Sequence, residues 1–565
     1  MIILGVNGSP YGGHDASACI VKDGEVCVIA EEERFTRKKH AYDVFPHAAI
    51  QYCLAFMGLS LDAVDLIAYS WDLSRLIGVR WQEERQRFMQ GLFPRNLFRF
   101  SQSPKCVFVP HHVAHAASTF WCSGFQDSSI LIMDGQGEKA SGVLAYGTRE
   151  NGIEILAELP VEHSIGYLYK AASGFAGLGR ENPGKLMGLS SYGKPTDIFP
   201  YLRFSEGTYE FQGMIHPPET TLENLDHMEP VVSWWLDHFS NHLGLMPATV
   251  MRQWDFMKNE WRHEPEQDVL KYADFAASIQ HVTERIGCHL VRDLIARTEC
   301  PRVCLAGGVA LNCSMNGRIA LMPEVDDLFI FPASHDSGTS VGAALQLSFD
   351  SGCTPLQNRW TSCYFGPGYQ NEEIRHVLIA NHILHKEIDD EALYQEVAKL
   401  LHAGSIVAVF RGRSEIGPRA LGNRSILASP NSASLRDRVN RTKGRELWRP
   451  LCPSVLSEHA HEYFCNASKG SSFMLRFLDV MEDKKSLIPG VVHVDGTARV
   501  QLVDSNTDFG RLIETYRQLS GLPMVLNTSF NLAGEPIVGS PIDALRSYFT
   551  SPIDALVLGN FLIVK

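Results

Sequence analysis

No stretch of the 565-residue chain approaches the ~18 consecutive apolar residues that a membrane span needs. The opening Met-Ile-Ile-Leu-Gly-Val-Asn-Gly has neither a basic start nor a long apolar core, so no export signal is read there. Among 13 cysteines there is no CxxC pair; Cys300 and Cys304 flank Pro301, and no second pair accompanies them. The thiols are therefore expected to be reduced core residues of a cytoplasmic protein, without a zinc module or a disulfide framework. Positive charge is also short: 51 Lys and Arg stand against 64 Asp and Glu, a formal net charge of −13. Such a chain does not coat DNA or RNA by charge alone. A 45% hydrophobic share with 20% charged residues excludes whole-chain disorder, and the length suits two large domains or several smaller ones.

One pattern is present twice. Ile2–Val6, an Asn-Gly-Ser loop, Ala16–Val21, Asp23-Gly24 and Val26–Ala30 read as strand, polar loop and hairpin. Ser129–Met133, Asp134-Gly-Gln-Gly137, Ser141–Tyr146, Asn151-Gly152 and Ile153–Leu159 repeat the order. Two strand–glycine turn–helix units follow between residues 303 and 347, through Gly307-Gly308 and through Ser334-His-Asp-Ser-Gly338. Strands that lead through small residues into helices place backbone N–H groups against phosphate. Together these predict a duplicated α/β nucleotide-binding fold over residues 1–350, with a cleft between its halves. Residues 351–369, rich in Gly and Pro, read as a linker, and 370–565 as a second α/β domain. Residues 205–265, with Trp234, Trp235, Trp254 and Trp261, read as an inserted helical segment, either peripheral packing or an acceptor-binding lid.

Five groups of residues carry chemistry. His111 and His115 are i, i+4 on a helix starting near Pro110, a spacing that presents two imidazoles to one metal. Asp134 and Asp336 both leave strands, and in a duplicated fold both strand ends meet in the cleft. Two His with one or two Asp suit Fe(II), Mn(II) or Zn(II). His14, after Gly12-Gly13, either takes a proton from a hydroxyl or hydrogen-bonds its own loop. Arg34, Lys38 and Lys39 in Glu31-Glu-Glu-Arg-Phe-Thr-Arg-Lys-Lys39, and Lys185 in Asn182-Pro-Gly-Lys185, are candidate phosphate contacts. Residues 411–449 hold ten basic and three acidic residues, a local +7 that leaves −20 elsewhere. Arginines set among Gly, Pro and small apolar residues, as in Gly417-Pro-Arg-Ala-Leu-Gly422, call for a planar anion such as an acyl phosphate or ATP. Thr497, Arg499 and Gln501, and then Asn527, Ser529 and Asn531, are expected as two polar ladders on strands facing a polar ligand.

The motifs, in order, resemble the O-carbamoyltransferase family that includes the nebramycin, cephamycin and nodulation-factor carbamoyltransferases. They are His14-Asp-Ala-Ser17, Glu31-Glu-Glu-Arg, His111-His-Val-Ala-His115, Asp134-Gly, Gly307-Gly-Val-Ala-Leu-Asn312, Asp336-Ser-Gly338, Arg413-Ser-Glu-Ile-Gly-Pro-Arg-Ala-Leu-Gly422 and Asn527-Thr-Ser-Phe-Asn531. The resemblance implies an N-terminal actin/hexokinase-like (ASKHA) domain, similar to the tRNA threonylcarbamoyl-transferring protein, and a C-terminal YrdC-like domain. It implies that carbamoyl phosphate and ATP, with Mg(II), give carbamoyl-adenylate, whose carbamoyl group passes to an acceptor hydroxyl of an antibiotic or other natural product. By the same resemblance His14 is the general base, and Fe(II), or another divalent metal, sits on His111, His115, Asp134 and Asp336. Lys39, Asp134, Gly307, Gly308 and Asn312 meet the nucleotide. Arg419, Lys443, Arg449, Arg499, Ser529 and Asn531 hold carbamoyl phosphate. Neither nucleic acid nor membrane is an expected partner. The competing readings are an ASKHA-type sugar kinase or ATPase, which leaves the C-terminal arginines unexplained, and a tRNA-modifying enzyme, which lacks a basic RNA surface.

Overall fold

The computed structural model describes residues 1–102, 104–214, 229–243, 247–248, 253–255, 260–262 and 269–565; of 242–243, 253–255 and 260–262 it describes the backbone alone. The first half is built twice on one plan. Ile2–Asn7 (β1), Ser17–Lys22 (β2) and Glu25–Glu31 (β3) form an antiparallel meander, and Leu66–Tyr69 (β4) and Cys106–Phe108 (β5) join in parallel, giving β3-β2-β1-β4-β5. Asp127–Met133 (β6), Ala140–Thr148 (β7) and Gly152–Pro160 (β8) meander likewise, and Arg302–Ala306 (β9) and Asp327–Ile330 (β10) join in parallel, giving β8-β7-β6-β9-β10. Asp23 and Gly24 both take the left-handed backbone that a two-residue hairpin turn demands. This repetition is the duplicated α/β fold with a cleft between its halves that was expected over residues 1–350.

The helices used below are His111–Cys122 (α1), Pro183–Ser190 (α2), Ala273–Thr298 (α3), Cys313–Ala320 (α4) and Thr339–Asp350 (α5). α5 packs against α1 and against β1 and β2, tying the two sheets together. Glycine makes this approach possible. A Cβ at Gly342 would overlap the Ala114 carbonyl, and one at Gly5 would overlap that of Ser340.

The second half holds an eight-stranded mixed sheet. Lys386–Glu387 (β11), Val407–Phe410 (β12), Arg424–Ala428 (β13), Cys452–Leu456 (β14), Gln501–Val503 (β15), Met524–Ser529 (β16), Ala555–Leu558 (β17) and Phe561–Val564 (β18) run in the order β11-β18-β17-β12-β13-β16-β14-β15. Each face is covered by a separate apolar core, one centred on Ile374, Val439, Leu526 and Tyr548, the other on Tyr394, Leu427, Ile513 and Val525. This is the expected C-terminal α/β domain. The polar ladders differ from the sequence reading. Thr497–Arg499 pairs with Phe477–Asp479, whereas Gln501 belongs to β15 beside β14, so the chain changes partner at the buried Val500. Asn531 lies beyond the end of β16.

The 205–265 segment, read as helical, contains one helix, Glu229–Leu243, among the described residues. The hairpin Leu202–Ser205/Thr208–Phe211 precedes it and Gln253–Asp255/Glu260–Arg262 follows. Trp235 is buried against Phe199, Phe211 and Phe239. The side chains of Trp254 and Trp261 lie outside the described residues. All 13 cysteines are free, and among the described residues no helix is long and apolar enough to cross a membrane.

Overpacking at the α1–α5 contact should be felt directly. Gly342→Ala is expected to cost about 1–3 kcal/mol in chemical denaturation, whereas Gly184→Ala, with nothing within 4 Å of the added carbon, should be neutral or slightly stabilising.

Candidate active site

α1 begins two residues after β5, and its first two turns carry His111 and His115, both fully buried. Asp134 follows β6 and Asp336 follows β10, so parallel strand ends from the second sheet face the helix of the first. The donor atoms of these four residues all lie within 4.8 Å of one another. His111 Nε2 stands 3.3 Å from Asp134 Oδ2 and 3.6 Å from Asp336 Oδ1; His115 Nε2 stands 3.4 and 3.5 Å from the same atoms. Ligand atoms about 2.1 Å from one ion are about 3.0–3.4 Å apart, so the cluster has the dimensions of a metal site.

The surroundings aim these donors. His111 Nδ1 lies 3.2 Å from the Ser70 carbonyl, which directs Nε2 inward, and Trp71 stacks on its ring. Asp134 Oδ1 accepts from Gly308 N at 2.9 Å. Both ring nitrogens of His115 are buried without a hydrogen-bond partner. Loss of hydration works against every charge here, but the mixed signs win: Asp336 and Asp134 push His111 up to about 10, and the histidines hold Asp134 well below the usual carboxylate range. Two imidazoles and two carboxylates fit a borderline-hard divalent ion, which would neutralise that pair of acids.

His14 stands at the mouth of this cluster, its ring half-exposed, with Nδ1 2.9 Å from Asp15 Oδ2 and 3.8 Å from Asp336 Oδ2. Partial burial opposes its charge, but Asp336 and Asp15 outweigh that and push it up to about 10. Asp15 also accepts from His40 Nδ1 at 2.9 Å. The loop is pinned by Asn7, whose amide donates to the carbonyls of His14 and Asp15, while Ser70 Oγ donates to Asn7 Oδ1. Asp15, His40, Ala41 and Asp43 all have left-handed backbone. Strain concentrated around one half-exposed histidine marks a site whose surroundings hold it in place. The Tyr42 ring lies 6.0 Å from His14, and its hydroxyl donates to Glu181.

The glycine turn is set by the same carboxylate. Gly307 has φ +88, and a Cβ there would overlap the Met133 backbone. Asn312 caps α4 by accepting from Met315 N at 3.0 Å and donates to Gln280.

The basic residues converge at the junction of the two halves. Lys39 and Lys185 reach it from the first half, and Arg419, Lys443, Arg445, Arg449 and Arg499 from the second. Burial and then the charges of Arg445 and Arg449 hold Lys443 well below the lysine range; burial and then Arg449 and Arg499 do the same to Arg445. Burial and Arg499 lower Arg419 to about 10. Lost hydration lowers Lys39, with Arg449, Arg445 and Lys185 adding to it. Lys443 Nζ donates to Ser529 and to both oxygens of Asn531, at 2.8 and 2.9 Å for the latter, so it also shapes the loop after β16. Arg499 Nε lies 3.1 Å from Cys452 Sγ, and Arg419 Nη2 lies 3.4 Å from the Leu311 carbonyl. Gln501 and Asn527, read as ligand-facing, instead bond each other and Ser454, and they donate to the carbonyls of Leu421 and Ala420. They hold the Arg419 loop.

One buried carboxylate links the two clusters. Glu31 Oε1 accepts from Ser337 Oγ at 3.0 Å and from Gly417 N at 3.2 Å, and Oε2 accepts from Arg34, whose guanidinium also donates to the Gly417 carbonyl. Arg34 is thereby spent on the junction and does not reach the cation cluster. Sequence reading passed over Arg445, one of ten basic residues in its segment, and Asp15, although it adjoins His14. It also gave no separate role to Glu31, which sits in a run with the look of a solvated surface.

Comparison with known proteins shows the family of the chain. The chain matches the family model described as carbamoyltransferase N-terminus over residues 2–84 and 94–345, and that described as carbamoyltransferase C-terminus over 398–565. It is 36% identical over 573 residues to nodulation protein NolNO of Sinorhizobium fredii, covering 98% of this chain and 79% of that one. It is 35% identical over 463 residues to nodulation protein NolO of Bradyrhizobium diazoefficiens, covering 80% and 78%. It is 33% identical over 616 residues to uncharacterized protein sll1178 of Synechocystis sp., covering 98% and 95%.

Removal of one donor should empty the four-residue cluster. His115→Ala is expected to bind iron, manganese or zinc more than about 10-fold more weakly, read as metal per chain by mass spectrometry after gel filtration. Metal content equal to that of the unaltered chain would show that the cluster is not the binding site.

Proposed function

The chain belongs to the carbamoyltransferase family and is a carbamoyltransferase, and from that premise we propose that it works in two chambers through carbamoyl-adenylate. Carbamoyl phosphate enters the interdomain cation cluster and loses phosphate to water. The carbamate so formed attacks the α-phosphorus of ATP, releasing pyrophosphate and giving carbamoyl-adenylate. An acceptor hydroxyl then attacks the carbamoyl carbon, AMP leaves, and an O-carbamoyl product remains. Convergence of seven Lys and Arg side chains from both halves on one junction is the observation that carries this reading.

Arg419, Lys443, Arg449 and Arg499, with Ser529 and Asn531, are proposed to hold the acyl phosphate and offset charge as phosphate departs. Lys39 is proposed to meet the nucleotide, with Gly307, Gly308 and Asn312 shaping the wall on the side of Asp134. His111, His115, Asp134 and Asp336 are proposed to hold Fe(II); a divalent ion there would neutralise the acids and polarise a phosphate or carbonyl oxygen. His14 is proposed to take the acceptor proton as attack proceeds, since an alcohol is too weakly acidic to ionise beforehand. A divalent ion on Asp336 would also relieve the charge that holds a proton on His14. Carbamate decays in water, so a junction closed between two domains suits its formation. The acceptor is proposed to be a natural-product alcohol, antibiotic or glycoside-like, because the Tyr42 ring and the Glu181 carboxylate beside His14 offer an aromatic face and an acceptor of hydroxyl hydrogens.

With carbamoyl phosphate present, ATP is expected to yield pyrophosphate and AMP; formation of ADP instead would establish a kinase. Product mass spectrometry over a panel of hydroxylated natural products identifies the acceptor. His14→Ala should retain pyrophosphate release while carbamoyl transfer falls about 10²–10⁴-fold, and equal loss of both steps would remove His14 from the base role. Arg449→Ala should abolish the first step, and unchanged consumption of carbamoyl phosphate would refute its assignment.

A further inference from the structure

One acid stands among the cations of the junction. Glu446 Oε1 lies 2.7 Å from Lys185 Nζ, and Oε2 lies 3.7 Å from Arg449 Nη1. Lys185 belongs to the first turn of α2 in the first half of the chain, whereas Glu446 and Arg449 belong to the loop between the helix Ala433–Thr442 and β14. The pair therefore bridges the two halves across the chamber. Two further carboxylates act on the cluster from its edge without an ion-pair contact to it: Glu535, which accepts from Leu532 N and Ser547 Oγ, favours the charge on Lys443, and Glu33, which accepts from His40 N, favours that on Lys39.

A cluster of like charges with partial burial is costly until an anion enters it. A monovalent carboxylate bridges two of these cations directly, while Arg445 donates to Thr528 Oγ1 at 3.0 Å. A phosphate carries more charge and more acceptor oxygens, and arginine forks match it. We propose that Glu446 is a resident counter-ion: the phosphate of the incoming substrate displaces its carboxylate from Lys185 and Arg449 and takes both cations as ligands. Displacement has a route. The Glu446 side chain is 28% exposed, so it can swing into water. Its loop carries no regular element between Lys443 and Leu451 and includes Gly444 at φ +61. Substrate binding then replaces a direct bridge between the halves by one that runs through the phosphate.

The inference rests on the phosphate role of the cation cluster, and calorimetry separates the two. Inorganic phosphate and ATP are titrated separately into the full chain and into Glu446→Gln. Removal of the competing carboxylate should tighten binding of one or both ligands by about tenfold, with the gain shrinking as salt is added. A gain with inorganic phosphate assigns the displaced position to the acyl phosphate, and a gain with ATP alone assigns it to the nucleotide; both support the exchange. Equal or weaker binding by Glu446→Gln, with the unaltered chain binding normally, overturns it and leaves the phosphate site standing. No binding of either ligand by the unaltered chain overturns the phosphate role as well. Lys185→Met should weaken the same ligand, and unchanged affinity there counts against the exchange. If Glu446→Gln does not fold, Glu446→Asp serves with the same criterion, since its shorter arm reaches Lys185 less well.

Discussion

The Glu31 carboxylate sets the relation between the two chambers. It is buried at the end of β3, and a buried carboxylate costs several kcal/mol unless its lone pairs are answered. Ser337, Gly417 N and Arg34 answer them. Ser337 adjoins Asp336, and Gly417 lies two residues before Arg419. One carboxyl side chain therefore holds the metal-type cluster and the cation cluster in register across more than 300 residues of chain. Because Arg34 also donates to the Gly417 carbonyl, both polar atoms of that peptide residue are held from the first half.

The two chambers differ in charge: one sets carboxylates among histidines, and the other gathers cations around Glu446. Asp15, Asp134 and Asp336 crowd around His14 and the paired histidines, while Lys39, Arg419, Arg445 and Arg449 crowd on the far side of the junction. A structural ion-pair network would interleave these charges. Under the proposed function each side is completed by a ligand, a cation on one and a phosphate on the other. Lys443 is the exception within its group, since Ser529 and Asn531 satisfy it, and its work includes fixing the loop that borders the chamber.

Much of this was legible before any coordinates. The duplicated meander showed in the Asp23-Gly24 and Asn151-Gly152 turns, and the four metal-type donors showed in an i, i+4 pair and two strand ends, because periodicity and strand–loop order are local properties. Long-range polar bookkeeping was not legible. Glu31 and Arg34 look like a solvated run until the Gly417 loop, nearly 400 residues away, covers them. Asn527 and Gln501 alternate as ligand-facing residues would, yet they are consumed by Ser454 and by backbone carbonyls. Arg445 differs from its basic neighbours only in where the loop after Thr442 carries it.

Proximity of the chambers gives the arrangement its chemical sense. Arg419 reaches the Leu311 carbonyl, one residue before Asn312 and three after the Gly308 amide that holds Asp134. The cation cluster thus abuts the wall of the metal-type cluster without an intervening linker. In the proposed reaction an adenylate formed against the arginines would carry its phosphate toward the acidic side, and a divalent ion held by Asp134 and Asp336 would offset the charge there. Two isolated domains joined by a flexible tether would expose the intermediate to water during each passage. In the proposed reaction a junction fixed by Glu31 and lined by side chains from both halves would shorten that passage and keep water away from the intermediate.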